Sequence, residues 1–126
     1  MSLSPFEYIH HILDEIDFIS SQISELDYDS FVRNPTVKRA FVRSLEIIGE
    51  ASKKIPEDVK ALKSDIEWRK VTGMRDRLIH DYFGVDYTIV WDVATNKLQD
   101  LRSNLQSLLG EIEKGKHSYG RQYRPK

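Results

Sequence analysis

Residues 91–112 read WDVATNKLQDLRSNLQSLLGEI, and this stretch carries the clearest helical signal in the chain. Its apolar side chains recur at steps of three and four residues, which places them on one side of an α-helix. They are Trp91, Ala94, Leu98, Leu101, Leu105, Leu108 and Ile112. A seam of this kind packs lengthwise against another helix. The stretch therefore predicts a long last helix in a helical bundle.

The first helix is predicted to begin at Ser4 and to end near Leu26. Ser4 and Glu7 have the spacing of a capping box, and Pro5 suits the first turn. Apolar residues then recur every three or four positions, which indicates one buried stripe. The polar residues 27–30 are expected to end the helix.

Two further helices are predicted in the middle of the chain. The second starts at residues 34–35, Asn-Pro, and its apolar stripe reaches Ile55. Residues 56–58 open a short extra helical turn. Residues 64–67 have the pattern of another capping box, and the third helix that they start is expected to run to Gly84, a suitable left-handed C-terminal residue.

Asp86 follows Gly84 closely and is expected to cap the last helix. No segment shows the sustained period-two alternation that strands require. The fold predicted for residues 1–114 is therefore all-α, an up-and-down antiparallel four-helix bundle. Residues 115–126, with two glycines and a proline, are predicted to form a basic C-terminal tail.

The composition of the chain is that of one globular domain. It has 126 residues, of which 40% are hydrophobic and 31% are charged. The absence of cysteine excludes disulfides and thiolate sites, and cytoplasmic localisation is expected. Apolar runs are too short for a membrane span. With a net charge of -1, binding to nucleic acid has to come from local patches.

No metal site and no cofactor are expected. The standard motifs for phosphate loops, zinc proteases and calcium loops are absent. His10 and His11 are adjacent on a helix, so they point in different directions. Residues 14–17, with three acids, are expected to form a solvated helix face.

The C-terminal tail provides the local basic patch. Lys116, Arg121 and Arg124 are interleaved with Tyr119 and Tyr123, a composition that suits single-stranded RNA. The alternative is that the tail is a solvated segment without a binding role.

The third predicted helix contains an arginine where an apolar residue is expected. At roughly 100° per residue, Arg75 lies in the middle of a stripe of apolar and aromatic side chains. A buried guanidinium needs an acidic partner, or an interface or ligand that uses its charge. One interpretation is an ion pair with Glu46 or Glu50 of the second helix, and the other is a functional site.

Asp76 and His80 lie close to Arg75 in the same predicted helix. Four residues separate them, which places them one turn apart on the helix flank. The carboxylate of Asp76 and the C-terminal end of the helix would both favour the protonated form of His80. Tyr82 follows Arg75 by two helical turns, on nearly the same line.

The segment 74–82, Met-Arg-Asp-Arg-Leu-Ile-His-Asp-Tyr, resembles the Arg-x4-His-x-Tyr motif of HEPN-domain proteins. Within that family it is similar to the HepT type, the ribonucleases of toxin-antitoxin pairs. Residues 43–51 resemble the second-helix segment of that type, and residues 68–69, 73–74 and 83–87 also match its pattern. The similarity covers nearly the whole chain except the tail.

The resemblance implies a metal-independent endoribonuclease toxin of a type VII-like toxin-antitoxin pair. It implies a homodimer whose composite site combines Arg75 and His80 of two protomers and cleaves RNA by attack of the 2′-hydroxyl. It also implies a partner, a nucleotidyltransferase antitoxin of the MntA type, which silences the toxin by transferring AMP to Tyr82.

One residue departs from the pattern of the family, and two alternatives remain open. The position after the motif arginine is often asparagine, whereas this chain has Asp76, which we assign to orienting His80. One alternative function is a noncatalytic HEPN subunit that binds substrate for a minimal nucleotidyltransferase. The other is a purely structural bundle in which Arg75 forms a core ion pair.

Overall fold

The structure, a computed structural model, describes residues 3–80 and 84–115, and His80 by its backbone only. The helices are α1 (Pro5–Ile23), α2 (Tyr28–Arg33), α3 (Pro35–Lys53), α4 (Glu57–Lys60), α5 (Trp68–Thr72), α6 (Met74–Leu78), α7 (Tyr87–Asp92) and α8 (Leu98–Lys114). A 3-10 turn (Ala61–Lys63) follows α4, and a π-helical turn (Val93–Lys97) joins α7 to α8. Two short antiparallel strands, β1 (Ile79–His80) and β2 (Gly84–Val85), follow α6.

The long helices enclose one apolar core. Helix α1 packs against α3 and α8, and α3 also packs against α5 and α6. The predicted stripes of α1, α3 and α8 supply side chains with no exposed surface, including Ile16, Leu45 and Leu105. The prediction of an all-α bundle is confirmed. No helix in the described ranges is long and apolar enough to cross a membrane.

The predicted caps Ser4 and Asp86 are confirmed, and Asn34 adds a third cap that was not predicted. Ser4 Oγ accepts a hydrogen bond from the backbone N–H of Glu7 at 3.2 Å, and the Glu7 carboxylate accepts from the Ser4 N–H at 3.4 Å. Asn34 Oδ1 accepts from the first turn of α3 at 3.1 Å. Asp86 Oδ1 accepts from two N–H groups of the first turn of α7, at 3.1 and 3.3 Å. Each side chain satisfies a donor that the helix itself leaves free.

The segment that was expected only to end the first helix forms a helix of its own. Asp27 and Ser30 make a capping box at the start of α2, and hydrogen bonds from Ser30 lower the pKa of Asp27. Phe31 is fully buried, with its ring centroid 5.2 Å from that of Phe41 and 5.1 Å from that of Trp91. This aromatic anchor outweighs the polar composition of the segment.

Asp17 is exposed, as expected for the solvated acidic face of α1, and it also makes an ion pair with the last helix. Arg102 of α8 donates a hydrogen bond from Nε to Asp17 Oδ1 at 2.7 Å. That hydrogen bond raises the pKa of Arg102. The contact links the first and last helices at the surface, where solvent weakens an ion pair.

The predicted start of the third helix is wrong. Residues 64–67 do not form a capping box, and α5 begins only at Trp68, after Glu67 without a side-chain cap. The reason is the indole of Trp68, whose Nε1 donates to the carbonyls of Lys60 and Lys63, both at 3.1 Å. These bonds hold the preceding segment in a turn and bury Ile66.

The predicted end of the third helix at Gly84 is also wrong. Helix α6 ends at Leu78, because Ile79 adopts extended backbone angles and the chain continues as β1. His80 pairs with Gly84, which has a φ of 73°, so the expected left-handed conformation is present but in a strand pair. The N–H of Asp86 donates to the Leu78 carbonyl at 2.7 Å, a bond that a continuing helix would not allow.

Candidate functional site

A glycine of α3 sets the position of the segment that carries the motif. A Cβ atom at Gly49 would lie 3.3 Å from the Val71 carbonyl oxygen, 3.5 Å from Met74 Cβ and 3.6 Å from the Thr72 carbonyl oxygen. The backbone of α3 therefore approaches the junction of α5 and α6 more closely than a residue with a side chain would easily allow. This contact was not predicted, although a glycine inside a helical pattern is a recognisable signal.

Arg75 lies on the surface, not in the middle of the buried stripe as the sequence predicted. Its side chain is 61% exposed, and its Nε donates to Glu46 Oε2 at 3.3 Å. The prediction is wrong because α6 ends at Leu78, so the helix that was expected to carry the stripe stops one turn after Arg75. Of the two proposed partners, Glu46 makes the ion pair, while Glu50 contacts Lys53 at 3.4 Å.

The ion pair with Glu46 leaves most of the guanidinium of Arg75 available. Neither Nη1 nor Nη2 makes a hydrogen bond within the described part of the chain. The pair itself contributes little stability, about 0–1 kcal/mol, because it is exposed to solvent. Its structural effect is to orient the side chain through one nitrogen. The remaining donors form a fork that matches phosphate oxygens.

Asp76 and His80 do not have the helical relationship predicted for them. Helix α6 ends between them, so the expected one-turn stacking is wrong. The expected line from Arg75 to Tyr82 ends at a residue outside the described part of the chain. Asp76 is exposed and makes no hydrogen bond or ion pair to another residue of the described segments. The side chain of His80 lies outside the described part of the chain, as do Tyr82 and the tail residues Lys116, Arg121 and Arg124.

A cavity of about 350 Å³ lies beside α6, against the π-helical turn and α8. Its apolar wall includes Met74 and Leu98, and Arg77 and Lys97 contribute charge. Arg75 does not line it, since Arg75 and Arg77 are about 200° apart around the helix. The motif arginine is therefore on an open surface and not in this cavity.

Potential metal ligands do not cluster in the part of the chain that the structure describes. Within residues 3–80 and 84–115, no group of three or more His, Asp or Glu side chains is placed to hold a metal ion. In the described part of the surface, the Arg75 guanidinium and its partner Glu46 suit ion pairing and phosphate binding.

The helical bundle and the sequence Arg75-x4-His80-x-Tyr82 define a HEPN-type protein. The family described as Ribonuclease HepT-like matches residues 12–108, which extend from α1 into α8. The chain belongs to this family. No solved structure matches the chain significantly.

Relatives with ribonuclease names align with most of the chain. A protein of Caldanaerobacter subterraneus subsp. tengcongensis, provisionally named an RNase, is 41% identical over 106 residues, 84% of this chain and 95% of that protein. A Methanocaldococcus jannaschii protein with the same kind of name is 38% identical over 106 residues, which are 84% of this chain and 91% of that protein. A Thermococcus cleftensis protein named as a probable ribonuclease HepT is 39% identical over 108 residues, with coverage of 86% and 98%.

Proposed function

We propose that this protein is a metal-independent endoribonuclease and the toxin of a toxin-antitoxin pair. The observation that carries the proposal is the exposed Arg75 in the family motif, held through Nε by Glu46 with its remaining donors available. Membership of the HepT-like ribonuclease family supports RNA as the substrate. The basic residues Lys116, Arg121 and Arg124 of the tail add contacts to the same RNA.

The reaction is the attack of a ribose 2′-hydroxyl on the adjacent phosphorus. A neutral His80 imidazole accepts the proton of the 2′-hydroxyl, and a protonated one donates a proton to the leaving 5′-oxygen. The guanidinium of Arg75 binds the phosphate oxygens and stabilises their developing charge. The products are a 2′,3′-cyclic phosphate and a 5′-hydroxyl.

Two protomers are needed, because one chain carries a single Arg75 and a single His80. A symmetric dimer that brings two α6 segments together supplies two imidazoles in different protonation states. The open position of Arg75 outside the neighbouring cavity supports a site completed by a second chain. Sedimentation at micromolar concentration should therefore give a dimer. A fully active monomer would contradict the composite site.

We propose that a nucleotidyltransferase antitoxin silences the enzyme at Tyr82. The phenol oxygen attacks the α-phosphorus of ATP, forms tyrosyl-AMP and releases pyrophosphate. The added phosphodiester carries a negative charge, which would compete with RNA for Arg75 of the same motif. Mass spectrometry after co-expression should find the adduct on Tyr82, and Tyr82→Phe should remain active in the presence of the antitoxin.

The catalytic proposal is tested with purified protein and unstructured RNA in the presence of EDTA. The parent should cleave, whereas Arg75→Ala and His80→Ala should each abolish cleavage while remaining folded by circular dichroism. Arg77→Ala is the matched control, because it removes the same charge from the opposite side of α6. Loss of parental cleavage with EDTA, or full cleavage by folded His80→Ala, would contradict the mechanism.

A further inference from the structure

Two arginines of α3 lie on the same helix face as the Glu46 partner of Arg75. At about 100° per residue, Arg39 is roughly 20° and Arg43 roughly 60° around the helix from Glu46. Along the axis they precede Glu46 by about 10 Å and about 4.5 Å. Both side chains are exposed. The face therefore presents two arginines in line with the ion pair that orients Arg75.

The acids of this face are already neutralised by other cations. Glu46 contacts Arg75 at 3.3 Å, and Glu50 contacts Lys53 at 3.4 Å. Within the described residues, neither Arg39 nor Arg43 has a carboxylate within 4.0 Å. Their charges therefore add a local positive potential next to Arg75, although the net charge of the whole chain is -1.

We propose that Arg39 and Arg43 form a track for the sugar-phosphate backbone of single-stranded RNA, leading to the phosphate bound by Arg75. This inference rests on the proposed ribonuclease function. Cations spaced along one line match a polymer with one phosphate per nucleotide, and the guanidinium fork binds phosphate oxygens in pairs. Such contacts read no bases, so the track strengthens binding to every sequence alike.

The track has a measurable electrostatic signature. Each phosphate contact to a single strand adds about 0.7 to the salt slope of the binding constant, so removing both arginines should lower the slope by about 1.4. The KM for RNA should rise in Arg39→Ala/Arg43→Ala. Its kcat should stay unchanged, because neither residue touches the reacting phosphate.

The experiment uses a fluorescent single-stranded oligonucleotide with 2′-methoxy groups, which cannot be cleaved by 2′-hydroxyl attack. Binding is measured by anisotropy over a series of salt concentrations for the parent and Arg39→Ala/Arg43→Ala. The control is Arg77→Ala/Lys97→Ala, which removes the same charge from the cavity side of α6. The track predicts a reduced slope in the first variant and a parental slope in the control. Equal slopes in the two variants would overturn it.

The remaining outcomes separate this inference from the proposed function. If the parent binds the methylated oligonucleotide with the predicted slopes but cleaves no RNA, the track stands and the ribonuclease proposal fails. If the parent cleaves RNA while Arg39→Ala/Arg43→Ala has a parental slope and KM, the track alone fails. If Arg39→Ala/Arg43→Ala loses only dimerisation, or only binding to the nucleotidyltransferase, the two arginines belong to a protein interface and the proposed track is wrong.

Discussion

The packing of α3 against the α5–α6 junction can be tested with a pair of glycines. Gly49 and Gly110 both lie inside long helices, but only Gly49 contacts another element. A Cβ at Gly49 would meet the Val71 carbonyl oxygen at 3.3 Å, whereas a Cβ at Gly110 would have no neighbour within 4 Å. Gly49→Ala and Gly110→Ala therefore share the helix-propensity effect and differ in tertiary contact.

The expected magnitudes follow from these two effects. Alanine gains about 0.5–1 kcal/mol over glycine inside a helix, so Gly110→Ala should raise the free energy of unfolding by that amount. At Gly49 the new methyl group forces the Val71 carbonyl to move by a few tenths of an ångström. Overpacking of a tight contact costs about 1–3 kcal/mol, which cancels or exceeds the propensity gain. We expect Gly49→Ala to be less stable than Gly110→Ala by at least about 1 kcal/mol.

The assay is urea denaturation followed by circular dichroism. All variants must be compared at one protomer concentration, because the proposed dimer would make the stability of the folded state depend on it. RNA cleavage provides a second measurement, since displacement of α6 also moves Arg75 relative to Glu46. If Gly49→Ala is as stable as Gly110→Ala and fully active, the close approach of the helices does not constrain the site.

Three further predictions concern the caps, the tail and Asp76. Asp86→Ala should lower the free energy of unfolding by about 1 kcal/mol, because the first turn of α7 loses its cap, whereas Asp86→Asn should retain most of the stability in urea denaturation. Removal of residues 116–126 should leave the bundle folded and reduce the salt slope of RNA binding by about 0.7 for each phosphate that the tail neutralises. Asp76→Asn should tighten binding of the methylated oligonucleotide, because the exposed carboxylate next to Arg75 in the chain repels RNA phosphates. Unchanged binding would mean that this carboxylate lies too far from the bound RNA to affect it.

The parts of the fold that were predictable from sequence are those with a long, uninterrupted pattern. Helices α1, α3 and α8 have apolar stripes over many turns, and local side chains such as Ser4 and Asn34 mark the starts of the first two. Periodicity and capping both depend on neighbours within a few residues, so no tertiary information is needed.

The third helix was predicted incorrectly because tertiary contacts override its periodicity. The indole of Trp68 binds two carbonyls of the preceding turn, and the Leu78 carbonyl accepts from the N–H of Asp86. Neither contact can be predicted from the local hydrophobic periodicity of the sequence. Helix α2 was missed for a similar reason, since six residues give too little periodicity and its anchor Phe31 depends on aromatic partners elsewhere.

For the candidate site, the sequence indicated which residues to consider but not how they are arranged. Arg75 was singled out because a charge interrupts an apolar stripe, and Glu46 was one of two partners proposed for it. The structure confirms that ion pair and corrects the burial of Arg75. The alignment of Arg39 and Arg43 with Arg75 was not predicted, because the sequence does not show which charged residues of a helix face are paired with acids.

Because α6 ends at Leu78, Arg75 and His80 are held in place by different elements of the fold. Arg75 is positioned by α3, through its ion pair with Glu46, whereas the backbone of His80 is paired with Gly84. Gly84 has a φ of 73°, so alanine there is strained by about 1–2 kcal/mol and disturbs the strand pair while leaving the contacts of α3 intact. Gly84→Ala should therefore reduce kcat for RNA cleavage more than it weakens binding of the methylated oligonucleotide. An equal loss of both would mean that the strand pair and α6 move as one unit, and the two supports would not be independent.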